Sequence, residues 1–300
     1  MTQAPPPSAE APQPDRLSLP LALKISRPGL WFQTLWLYLL PLTRGADWGD
    51  PWLWLGLLYA TWPLNALVYG WNDAVDVALD ARNPRKDSWL FGARASEAQL
   101  RRFLVIVFAA QLPFVIAFAM ARGPAILRTF AAIVAVNASY NRRVGGLRGR
   151  PPFDLLNALG YLLVVVLSLQ VNQRPPLSAL GWLYLGLFVT QAQLIGEVMD
   201  VVCDRQGGRV TTATLLGVGR TKLLIFALVL ALGLLCGLGF GDWVLGGLLL
   251  AGAGWLLLDL LVYAARRETY TRTEHTIAGV GMNLLGAGSM LWQFWSPTLH

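Results

Sequence analysis

The chain has 300 residues, of which 55% are hydrophobic and only 14% charged, and its 13 Trp and long runs of Leu, Val and Ala exclude an ordinary soluble domain. Its net charge of +7 is dispersed among short loops, with no basic domain and no RNA-binding signature, so nucleic acid is excluded as a partner. Cys203 and Cys236 stand alone, which leaves neither a disulfide framework nor a thiolate metal site.

The first 17 residues, MTQAPPPSAEAPQPDRL, hold too little apolar surface to order themselves and are expected to form a disordered tail. No charged region with an apolar core and a cleavage site precedes the first helix, so no cleaved signal peptide is read. From residue 18 to 300 the chain reads as one transmembrane domain. Apolar stretches of roughly 20 residues, long enough for a membrane helix, lie near 27–43, 52–71, 102–121, 124–141, 154–172, 177–200, 220–240, 242–264 and 276–296. A soluble α-bundle would show polar helix faces, and LLIFALVLALGLLCGLGF (223–240) has none. The fold class is therefore all-α: a polytopic membrane protein of about nine transmembrane helices, in contact with membrane lipid.

Loop charge orients it. Of 24 Lys and Arg, 20 fall in the N-terminal segment and the even-numbered loops; only Arg44, Arg122, Arg128 and Arg174 fall on the other side. By the positive-inside rule the N-terminus and these loops are cytoplasmic and the C-terminus is outside. In a bacterium this places the chain in the inner membrane.

The second stretch ends in GWNDAVDVALDARNPRKD (70–87). Asn72, Asp76 and Asp80 step by four, which puts them on one face of a helix; Asp73 lies about 100° away and need not share it. The sixth stretch ends in GEVMDVVCDRQGGR, where Glu197, Asp200 and Asp204 again share a face. Asp47 and Asp242 read as interfacial helix-end acids, and Asp259 as a satisfied intramembrane group. Six of 17 acids fall in the two windows around residues 72–80 and 197–204. Like charges at this spacing repel, and carboxylates in a membrane are costly, so a cation is expected to neutralise them. His275 and His300 lie elsewhere, which disfavours zinc; a hard ion such as Mg²⁺, taking carboxylate and phosphate oxygens, fits. Arg82, Arg85 and Lys86 follow the first cluster, and Arg205 and Arg209 the second. A carboxylate centre rimmed by arginine inside an apolar bundle suits an isoprenyl-type diphosphate.

These residues resemble the UbiA superfamily of intramembrane prenyltransferases. Residues 72–80, NDAVDVALD, are similar to its NxxxDxxxD motif, and 200–204, DVVCD, to its DxxxD motif. The resemblance covers about residues 24–295, with PLNALVYGWNDAVDVALDARNPRK most similar to the lycopene elongase branch, which makes C50 carotenoids. Two departures stand out. Arg142 and Arg143 replace the usual Pro-Pro after Tyr140, and Gly196 replaces a Lys often found before the second motif. Arg142 and Arg143 would contact either the diphosphate or anionic lipid.

The resemblance implies a bundle with a central cavity and Mg²⁺-dependent transfer of a prenyl group from an allylic diphosphate to a lipophilic acceptor. The acceptor would be a carotenoid such as lycopene, or alternatively an aromatic, quinone or chlorophyll-type molecule. Asn72, Asp76, Asp80, Asp200 and Asp204 would hold Mg²⁺. Asn72, Arg82, Arg85, Lys86, Arg205 and Arg209 would bind the donor. Tyr140, with Trp71 and Tyr161, would face the carbocation. Glu197 would take the proton or add a ligand. A lipid or ion transporter is the rival class, but acids at helix ends with flanking Arg favour the enzyme over midplane acids in inverted repeats.

Overall fold

A computed structural model describes residues 16–42, 45–81, 83, 85–142, 145–263 and 271–296. Most of the tail at 1–17, and the expected loop residues Arg82, Arg143, Arg266 and Arg267, lie outside the described residues.

Among the described residues the regular elements are all helices, apart from one isolated bridge between Ser88 and Gly92. The helices are α1 (Leu19–Ile25), α2 (Trp31–Leu39), α3 (Pro51–Ala60), α4 (Trp62–Val75), α5 (Val77–Asp80), α6 (Glu97–Arg122) and α7 (Ala125–Tyr140). They continue with α8 (Asn157–Val171), α9 (Ala179–Gln206), α10 (Thr212–Leu216), α11 (Val218–Leu234), α12 (Trp243–Leu258) and α13 (Arg272–Trp295). Each of the nine expected stretches contains helix. Five segments are long and apolar enough to cross a membrane: Glu97–Arg122, Phe153–Val171, Ala179–Gln206, Val218–Gly239 and Trp243–Leu261. The chain is an integral membrane protein of all-α class.

The second stretch is not one helix. It breaks at Thr61 (φ −83°, ψ −117°), with Pro63 in the first turn of α4. Proline has no N–H to donate, so the break frees carbonyls that lipid cannot satisfy. Buried side chains satisfy them instead. Asn65 Nδ2 donates to Ala60 O (2.9 Å) and Thr61 O (2.7 Å), Thr34 Oγ1 donates to Ala60 O (2.7 Å), and Gln111 Nε2 donates to Pro63 O (2.9 Å). Hydropathy counts side chains and does not register such a break.

The helices pack as a ring. α4 lies on α6, α7 on α8, α8 on α9 and α2, α9 on α11, and α11 on α12. α13 closes against α2, where Trp36 Nε1 donates to Ser289 Oγ (2.8 Å). Asp242, expected at the water interface, is buried: it caps α12 through Leu245 N (3.0 Å) and accepts from Trp292 Nε1 (2.9 Å) on α13. Asp259 pairs with buried Lys222, as expected of a satisfied intramembrane acid. At one end Arg122 joins α3 to α8, pairing with Asp50 (2.9 Å) and donating to Val171 O (2.7 Å). The starts of α6, α8 and α11, and the ends of α4, α7 and α9, meet at the other end. Both acidic motifs lie there.

Candidate active site

The first motif sits on a helix that stops and restarts. α4 ends at Val75, Asp76 takes φ −101° and ψ 11°, and α5 covers only Val77–Asp80. The expected ladder of Asn72, Asp76 and Asp80 on one face is therefore broken. Asp73 and Asp80 converge instead. Lys86, 4% exposed, pairs with Asp73 at 2.6 Å and with Asp80 at 2.8 Å. Asp73 also takes Arg27 Nη2 at 2.6 Å. Arg27 stacks over Tyr69, with 4.5 Å to the ring centroid. Asp76 turns the other way and accepts from Arg148 and Arg209. Asn72 lies half-buried beside it.

The second motif rides on the last turns of α9, which is continuous. Its end explains the placement of Arg209. Gly208 has φ +68°, a conformation glycine adopts without penalty, and Arg209 N donates back to Asp204 O at 2.8 Å. This is a Schellman-type reversal. It folds Arg209 over the helix it has just left, so Nη1 reaches Asp204 (3.1 Å) while Nη2 reaches Asp76. One side chain thus joins the two motifs. Arg85 makes a second bridge to Asp200, which also accepts from Asn83 Nδ2 at 3.3 Å. The two clusters face each other, as expected from their matching depth.

The third contributor is the segment between α7 and α8. Arg148, 6% exposed, reaches Asp76, and its guanidinium lies over the Tyr140 ring at 5.9 Å. Arg142, six residues earlier, is exposed. The Tyr140 hydroxyl accepts from Gln193 Nε2 (3.4 Å), which also donates to Glu197 (3.1 Å). Glu197 further accepts from Ala213 N (3.2 Å). Arg205 is exposed at the end of α9. Trp71 packs edge-on against Phe108 of α6 (5.3 Å), away from the acids. Arg27, Asp73 and Arg148 were not among the expected site residues: Arg27 and Arg148 read as loop charge that topology alone explained, and Asp73, though counted in the first acidic window, lay off the face of the expected ladder.

Between the motifs is a cleft of about 280 Å³, lined by Val75, Asp76, Ala78, Leu79, Cys203, Gln206, Gly207 and Arg209. Deeper in the bundle is a cavity of about 20 Å³ bounded by Tyr69, Tyr161, Asn65, Asn137, Asn157 and apolar neighbours. Five motif-region carboxylates (Asp73, Asp76, Asp80, Asp200, Asp204) meet five cations (Arg27, Arg85, Lys86, Arg148, Arg209) in ion pairs. Except at Asp200, whose side chain is 38% exposed, these pairs are largely buried and costly to desolvate, and such clusters concentrate at functional sites. Burial pushes Asp80 up to about 6, with Lys86 working against the rise, and burial pushes Arg85 down to about 10. Among the described residues no three acids converge as a ready-made cation cage. The ligand set is nonetheless all oxygen, and Asp73 Oδ2 is buried with no hydrogen-bond partner.

The chain matches the UbiA prenyltransferase family model over residues 30–280. A lycopene elongase/hydratase of Corynebacterium glutamicum is 29% identical over 259 residues, spanning 83% of this chain and 89% of the relative. A lycopene elongase/hydratase of Haloarcula japonica is 26% identical over 291 residues, spanning 93% and 95%. A UbiA homologue from Archaeoglobus fulgidus, solved bound to DMAPP and Mg²⁺, superposes with a TM-score of 0.68 at 16% identity, over 92% of this chain and 98% of that one. The same homologue bound to GPP and Mg²⁺ gives 0.66 at 15% identity, over 91% and 99%. These two likenesses establish the fold.

Proposed function

The chain belongs to the UbiA prenyltransferase family, a family of prenyl-group transferases, and we propose that it moves an isoprenyl group from an allylic diphosphate to a carotenoid such as lycopene. The observation that carries this reading is the joining of both acidic motifs by Arg209, which also lines the cleft between them. Lycopene is favoured as acceptor by the two elongase/hydratase relatives.

The residues fit Mg²⁺ in kind. Mg²⁺ takes hard oxygen ligands and needs only one or two carboxylates when phosphate oxygens complete its shell. Asn72, Asp76, Asp80, Asp200 and Asp204 are the residues that would hold it. When bound, Mg²⁺ supplies charge neutralisation for the diphosphate leaving group.

The chain's own groups do the rest. Arg209 and Arg148 exchange part of their bond to Asp76 for phosphate oxygens, which guanidinium binds in a bidentate manner. Lys86, Arg27 and Arg85 hold the remaining carboxylates in place. As the allylic C–O bond breaks, charge grows on the diphosphate, and cations already fixed in place stabilise that change. The acceptor double bond then attacks the allylic cation. Tyr140 already carries the Arg148 guanidinium over its ring, so it would face the allylic cation only with its other face, and the resulting adduct loses a proton to a base at the site. We place the site end of the bundle in the cytoplasm, from the loop charges.

The test is a product analysis. Membranes containing the protein are incubated with labelled dimethylallyl, geranyl, farnesyl and geranylgeranyl diphosphates and lycopene, and products are weighed by mass spectrometry. Lycopene carrying one or two labelled prenyl units supports the proposal. Label found only on an aromatic or quinone lipid corrects the acceptor, and label moved across the membrane unchanged points to a transporter.

A further inference from the structure

The arginines at Asp76 come from two segments that are distant in sequence, and their meeting needs its own explanation. Arg148 lies between α7 and α8; Arg209 lies between α9 and α10. One buried acid ties these segments together. Asp154 is 0% exposed. Its carboxylate accepts from Thr212 N, and from Thr212 Oγ1 at 2.8 Å. Glu197 grips the next amide, Ala213 N, at 3.2 Å. The start of α10 is thus clasped by two acids.

From that clasp the chain runs back to Arg209 in three residues. Thr214 Oγ1 accepts from Thr211 N (2.7 Å) and donates to Thr211 O (3.0 Å), with Arg209 O 3.4 Å away, so the first turn of α10 is capped beside the arginine. On the other segment, Gly149 approaches Arg209: a β-carbon there would lie 3.9 Å from Arg209 Cγ. Asp154 makes no ion pair with either arginine among the contacts described, and it does not line the cleft. A fully buried carboxylate is costly unless its hydrogen bonds are made. Placing one here fixes the distance between the two loops.

We propose that Asp154 is a positioning residue that locks the Arg148 segment to α10 and so sets both guanidinium groups on Asp76 for the donor's diphosphate. The proposal rests on reading the cleft as a diphosphate site. A donor site of this kind needs its cations held before the substrate arrives, because preorganised charge costs no rearrangement during reaction. Asp154 achieves this through one neutral-donor clasp, without adding a competing negative charge to the cleft.

The test uses inorganic pyrophosphate with Mg²⁺, measured by calorimetry on the purified full-length protein, so no prenyl transfer is required. Asp154→Asn should weaken binding about tenfold, a loss of one positioned charge-assisted contact. Thr212→Val removes one of the two donors and leaves the fold less disturbed; it should weaken binding about threefold. Donor KM should rise in step, while acceptor KM holds. The decisive readout is coupling. In an Arg209→Ala background, adding Asp154→Asn should cost about threefold or less, because the residue acts through the arginine. Fully additive losses, or unchanged pyrophosphate affinity with a lowered melting temperature, would make Asp154 a packing residue and overturn the proposal. Wild-type protein that binds no pyrophosphate would sink the diphosphate reading itself, and the positioning role with it.

Discussion

Asp76→Ala removes the one carboxylate that both Arg148 and Arg209 share. The two arginines do not suffer equally. The Arg148 side chain is 7% exposed and pairs with Asp76; the Arg209 side chain is 23% exposed and keeps Asp204 at 3.1 Å. Breaking a buried pair from one side costs roughly 3–5 kcal/mol, whereas a half-wet pair costs far less. The loss should therefore come almost wholly from Arg148 and be about 3 kcal/mol. By the usual entropy of unfolding for a chain of this length, that lowers a melting temperature by roughly 5 °C. Removing the stranded charge should restore most of it, because a buried pair replaced by apolar groups is close to neutral. Thermal melting of purified wild type, Asp76→Ala and Asp76→Ala with Arg148→Met in one detergent measures this. The double variant should melt above the single one, while neither transfers a prenyl group. A single variant as stable as wild type, or a double variant less stable than the single, would refute the charge accounting at Asp76.

Three further outcomes follow from the same geometry. Prenyl transfer should stop in excess EDTA and return with added Mg²⁺; full activity under chelation would remove the metal from the mechanism. Single cysteines at Trp89 and Gln206, both exposed at the site end, should react with impermeant maleimide only from the cytoplasmic face once Cys203 and Cys236 are replaced; labelling from outside would invert the orientation. Asp80 has its pKa raised from 3.8 to about 6 by burial, so the folded protein holds this proton more tightly than the unfolded chain. The stability from that shift is complete below the unfolded value and is lost as pH rises through about 6. In melting experiments on the metal-free protein across this pH range, Asp80→Asn should lack that fall in stability, and an identical pH profile in the variant would assign it to another group.

The nine helical stretches were legible because apolar run length is nearly sufficient to identify a membrane helix. The break at Thr61 was not, since it depends on backbone groups recaptured by Asn65 and Gln111 from other turns. The two acidic motifs were legible as clusters, but their internal geometry was not. A step of four implies one face only while the helix continues, and α4 stops at Val75. That stop sends Asp76 toward α9 and leaves Asp73, which the spacing had set aside, sharing Lys86 with Asp80. Arg209 was visible because it follows its motif closely. Arg148 meets a partner 72 residues away, and Asp154 one 58 residues away. No local pattern marks contacts of that range. The double arginine at 142 and 143 drew attention as a departure in composition, yet Arg142 is exposed and the residue that enters the site is Arg148.

The central claim is that the two motifs form one diphosphate site joined by Arg209. The most direct measurement is an experimental structure of the protein with Mg²⁺ and a non-ionising allylic thiodiphosphate. The account predicts diphosphate density in the cleft between Asp76 and Asp204, in contact with Arg209 and Arg148, and the prenyl tail directed into the bundle. Density for the diphosphate at any other place, with the Asp76–Arg209–Asp204 bridge intact and unengaged, would contradict it.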